Sequence, residues 1–68
     1  MQGGDETGAR FAALTGLLED AASLAAEGQN PGLTIVERCA FVTEIRQILN
    51  QAGLTLDDLD SVFELGGP

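Results

Sequence analysis

The chain has 68 residues and contains no histidine, lysine, tryptophan or tyrosine, and a single cysteine, Cys39. One cysteine cannot form an intramolecular disulfide, and without histidine or further thiols a zinc site lacks its usual ligands. A chain this short buries little of its surface, and small domains gain stability from disulfides, metals or association. Association is the one of these left open. The missing histidine, lysine and tyrosine also strip the catalytic inventory to carboxylates, three arginines, one thiol and hydroxyls. No cofactor is expected, and the chain reads as non-enzymatic. There is no long apolar run to span a membrane. The N-terminal Met1-Gln2-Gly3-Gly4-Asp5-Glu6 lacks the basic and apolar regions of a signal peptide, so a cytoplasmic location is expected.

What the chain does have is acid. Eleven Asp and Glu against three Arg give a net charge of −8, which disfavours direct contact with nucleic acid or an anionic membrane. Hydrophobic residues make up 44%, enough for a folded domain.

The periodicity is helical throughout. The pattern predicts an all-α chain of three helices, about 7–27, 34–52 and 56–65, in one domain over 7–65. Residues 1–6 are expected to be a flexible start and 66–68 a frayed end. In the first helix Phe11, Leu14, Leu18, Ala21 and Ala25 recur at spacings of three and four. Asp5, Glu6 and Thr7 suit its start, and Gly28 its end. Ala9, Ala12, Ala13 and Gly16 form a face of small residues. Thr34-Ile35-Val36-Glu37 is a capping box for the second helix. There, Ile35, Val42, Ile45 and Leu49 make an a/d-like seam, broken by Arg38 and flanked by Phe41 and Ile48. Gly53 is expected to end that helix, and Thr55 to cap a short third one with Asp57 and Asp58 in its first turn. Its inward stripe would be Leu56, Leu59, Val62 and Phe63.

The expected architecture is an antiparallel helical hairpin with the short third helix folded across it. The second helix is apolar over more than half its circumference, so a homodimer is expected, with Ile35, Phe41, Val42, Ile45, Ile48 and Leu49 at the seam.

Ile48, Ala52, Gly53, Leu54, Leu59 and Val62 are spaced as in the helix-turn-helix family, which the segment resembles. The position four before the glycine, Leu49, departs from that pattern. The helix that would read DNA holds Asp57, Asp58, Asp60 and Glu64 and no base, which turns the resemblance away from phosphate and toward protein packing. Asp60-Ser61-Val62 is similar to the attachment motif of acyl carrier proteins, though too few residues follow Ser61 to complete that fold. Gly66-Gly67 resembles the end of peptide leaders, with Glu64 and Ser61 where those carry apolar residues. A hairpin followed by a short acidic helix also looks like a docking segment of modular polyketide synthases. Cys39 reads as a buried small apolar residue.

The leading expectation is a protein-interaction module: an adaptor, regulator or assembly factor. Its apolar surface would be rimmed by acids and would receive a basic or amphipathic partner helix. The expected contacts are Asp57, Asp58, Asp60, Phe63 and Glu64. The alternatives are an acidic mimic of nucleic acid, inhibiting a DNA- or RNA-binding protein, and a structural or docking subunit of a larger assembly.

Overall fold

The computed structural model describes the backbone of residues 2–66 and the side chains of residues 6–63. Two helices account for it, α1 (Gln2–Glu27) and α2 (Ile35–Gly66). They run side by side and antiparallel: Ala9 and Ala13 of α1 share a groove with Thr55 and Asp58, while Leu24 and Ala25 share one with Phe41 and Val42. The all-helical expectation holds, and the molecule is a thin rod of 53 × 18 × 12 Å.

α1 begins at Gln2, so Thr7 lies inside the helix and does not cap it. Glu6 instead accepts a 2.9 Å hydrogen bond from Arg10 one turn on. At the other end the Gly28 amide donates to the Leu24 carbonyl at 2.9 Å. Gln29 and Asn30 then donate three residues back, to Ala26 and Glu27. α1 therefore closes by tightening its last turn. No glycine among the described residues has a positive φ.

The turn is held by local polar chemistry. The Asn30 side chain accepts the Gly32 amide at 2.9 Å, and its carbonyl accepts the Leu33 amide and the Arg38 guanidinium. The capping box forms as expected: the Thr34 amide donates to the Glu37 carboxylate at 2.8 Å, and the Glu37 amide donates to the Thr34 hydroxyl at 3.1 Å. Each partner satisfies an amide that the helix start leaves without a carbonyl.

The third helix is not there. α2 runs unbroken through Gly53, and the two expected helices are one. Thr55 does not cap a helix start; its hydroxyl donates back to the Gln51 carbonyl at 3.1 Å, the usual bond of a threonine in a helix interior. The energetics favour continuation. A glycine inside a helix costs about 1 kcal/mol relative to alanine. Continuing keeps Ala52 and Leu59 in phase, seven residues apart and both buried, and burying Leu59 alone contributes roughly 2 kcal/mol. The unbroken helix also ends the helix-turn-helix resemblance, since no turn separates Ile48 from Val62.

The core lies between the two helices. α1 presents Leu14, Leu17, Ala21 and Leu24 at alternating spacings of three and four. α2 presents Phe41, Ile45, Ile48, Ala52, Leu59 and Val62. All are buried or half-buried. Among the described residues only Ala21 at 8%, Ala52 at 4% and Leu59 at 3% exposure are buried outright. A two-helix layer covers one face of each helix and no more.

Candidate functional site

The expected seam of six residues divides in two. Phe41, Ile45 and Ile48 turn toward α1 and are half-buried, whereas Ile35, Val42 and Leu49 stay exposed. The exposed three continue beyond the expected end of their helix. Val42, Leu49, Leu56 and Phe63 follow at strict seven-residue intervals, each between 49% and 55% exposed. On α1, Phe11 and Leu18 are also large, apolar and exposed, and Ala25 extends their seven-residue series. Ala25 and Val42 border one groove, so the two stripes lie on the same side of the hairpin. With both helices rising about 1.5 Å per residue, Leu18 lies at the level of Leu49, and Phe11 at that of Leu56.

The opposite side is polar. Glu6, Arg10 and Asp58 border one groove there, with Ala9 and Ala13 between them. Asp20 and Glu44 border a second, with Ser23 and Ile48. These four acids are thus held away from the apolar stripes. The margin of the apolar side on α2 is Cys39, Arg46, Gly53 and Asp60, one turn beyond each stripe residue. Arg46 borders a shallow apolar recess with Val42, Ile45 and Leu49. On α1 the margin is Gly8, Thr15 and Ala22, all uncharged. The expected acidic rim is therefore absent from the described α2 edge except for Asp60.

The expected contact residues do not form one patch. Successive residues of an α-helix point about 100° apart, so Asp57 faces outward, Asp58 turns to the polar side and Asp60 to the apolar margin. All three are exposed. They lie deep within α2, so no helix N-terminus explains them. Phe63 belongs to the apolar stripe. The side chain of Glu64 lies outside the described residues, as does Gly67. Cys39 is exposed rather than buried. Ser61 lies within the last turns of α2, not at a helix start. Among the described residues no three of His, Cys, Asp and Glu converge as metal ligands would. No described helix is long and apolar enough to cross a membrane.

The exposed stripe through Leu56 and Phe63 follows from α2 being one helix and has no counterpart in the expected pair of shorter helices. Its signal was present: the interval of seven from Ile35 to Phe63 is uninterrupted in the sequence. The chain matches no protein-family model, no curated protein and no solved structure.

Proposed function

We propose that this protein is a non-enzymatic interaction module that works by burying one side of its hairpin against another polypeptide. The observation that carries this reading is the half-exposed row Val42, Leu49, Leu56 and Phe63, flanked by Phe11 and Leu18. Large apolar side chains aligned over the whole length of a helix mark a surface meant to be covered. The chemistry on that side is packing, since its margins carry few charges.

The nucleic-acid mimic draws less support. Across the polar side, Glu6 faces Asp58 and Asp20 faces Glu44. These two levels are about 21 Å apart at 1.5 Å per residue. Duplex DNA carries a charge every ~1.7 Å, so the double row is far too sparse to imitate it.

The test compares two single substitutions in proteins captured from the native host. Leu49→Asp puts a charge in the apolar stripe, and Glu44→Arg reverses one on the polar side. Loss of binding polypeptides with Leu49→Asp and retention with Glu44→Arg is expected. The reverse pattern would move the site to the polar side and overturn the reading.

A further inference from the structure

We propose that the apolar side is covered by a second copy of the chain, packed face to face about a twofold axis that crosses both helices at right angles. The axis passes close to Gly53 on α2 and between Phe11 and Leu18 on α1. This rests on the interaction reading above and names its partner.

Four observations converge on that axis. The first is area. A compact monomer of 7.0 kDa exposes about 4,000 Å², whereas this hairpin exposes 4977 Å². The surplus is close to the ~800 Å² that each partner buries in a standard interface.

The second is the symmetry of the stripe on α2. Reversing α2 about the point between Leu49 and Leu56 exchanges those two leucines and exchanges Val42 with Phe63. All four are about half exposed, so apolar meets apolar along the contact.

The third is charge. Reversal about Gly53 itself, half a residue further on, exchanges Arg46 with Asp60, the two charged residues among the margin positions Cys39, Arg46, Gly53 and Asp60. Each arginine then lies across from the aspartate of the other copy, twice per dimer. An isologous interface needs such self-complementarity. Gly53 lies midway between them. A Cβ added there would meet nothing within 4 Å, and its φ is not positive. Neither a turn nor crowding within the hairpin calls for glycine at this place. A second helix approaching closely at the axis does.

The fourth comes from the other helix. Phe11 and Leu18 on α1 lie at the levels of Leu56 and Leu49, so their midpoint sits beside the same axis. The reversal that pairs the leucines of α2 also sets Phe11 over Leu18 of the second copy. One axis therefore satisfies both helices. Two hairpins joined in this way make an antiparallel four-helix bundle.

Three measurements on the full chain test the proposal. Sedimentation from micromolar to millimolar concentration is expected to pass from monomer to dimer, and a monomer throughout would overturn it. In that case face-dependent capture by the Leu49→Asp comparison would still leave the interaction reading standing, so the two failures are distinguishable. A nitroxide on Cys39, the only cysteine, reports the orientation. The proposed axis sets the two labels about 40 Å apart along the helices, at roughly 1.5 Å per residue. An axis parallel to the helices would bring them to one level, and a separation under about 20 Å would exclude the proposed arrangement. Finally, Arg46→Glu should weaken the dimer at least about fivefold, since it replaces two attractive pairs by two repulsive ones and adds to the net charge of each copy, whereas Asp60→Arg should weaken it less, because it also lowers that net charge. Combining them should restore wild-type affinity within about twofold. A double variant no tighter than the single ones would sink the Arg46–Asp60 pairing and the axis with it.

Discussion

At the scale of single residues, the best-specified place in the chain is the start of α2. Thr34 and Glu37 exchange hydrogen bonds in both directions, and the motif was legible because its chemistry is local. Four consecutive residues contain both donors and both acceptors. Thr34→Ala is expected to cost about 1 kcal/mol, read as a lower urea midpoint with an unchanged slope. A variant as stable as the parent would mean that α2 does not depend on its cap. Thr55 offered similar local signals and behaved differently. Its hydroxyl turns back to Gln51 because the helix around it never ends. A cap signature states what a residue can do at a helix start; it does not create the start.

At the scale of elements, the contrast between Gly53 and Gly16 is instructive. Both sit inside helices, and a Cβ at either would meet nothing within 4 Å. Gly16 lies toward the polar side, three residues after Ala13. Gly16→Ala is therefore expected to stabilise the protein by roughly 1 kcal/mol, seen as a rise of about 4–8 °C in Tm, with the dimerisation constant unchanged. Gly53→Ala should bring the same helical gain within one chain, but it places a methyl group at the twofold axis and should weaken the dimer. Equal effects of the two changes on dimerisation would remove Gly53 from the interface. In the sequence the glycine and threonine punctuation at Gly53 and Thr55 competes with the seven-residue period, the first predicting a break and the second a continuous helix. Packing decides between them: a break at Gly53 would take Leu59 out of phase with Ala52, and both are buried. The stretch from Phe41 to Leu49 lies in the helix that its periodicity predicts. Its division between a face toward α1 and an open face depends on where α1 lies, which no local pattern states.

At the scale of the whole molecule, the segregation of charge matters more than its total. A net charge of −8 makes two copies repel one another, while the two Arg46–Asp60 pairs of a dimer are exposed and weak. Screening of the larger repulsion should prevail. Dimerisation should tighten as salt rises from about 0.05 to 0.5 M, where the screening length shrinks well below the dimensions of the rod. Sedimentation across that range checks it. Binding of a basic helix to the acidic side would show the opposite trend. The composition made the acidity plain, but only the hairpin register places Glu6 beside Asp58 and Asp20 beside Glu44, away from the open apolar side.

The hydrogen bonds around the turn also bear on how quickly the chain finds its shape. Asn30 ties together Gly32, Leu33 and Arg38, and the Thr34–Glu37 box lies beside them, so the closed end of the hairpin is held by a local network of polar contacts. Pairing can then spread from neighbours in sequence toward the distant ends, the order in which the least loop entropy is lost at each step. Weakening the turn by Asn30→Ala is expected to slow refolding. Weakening the far end by Leu59→Ala should mainly hasten unfolding. Stopped-flow measurements below the concentration at which copies associate would read the two limbs separately, and equal slowing of refolding by both changes would rule out a zipper that starts at the turn.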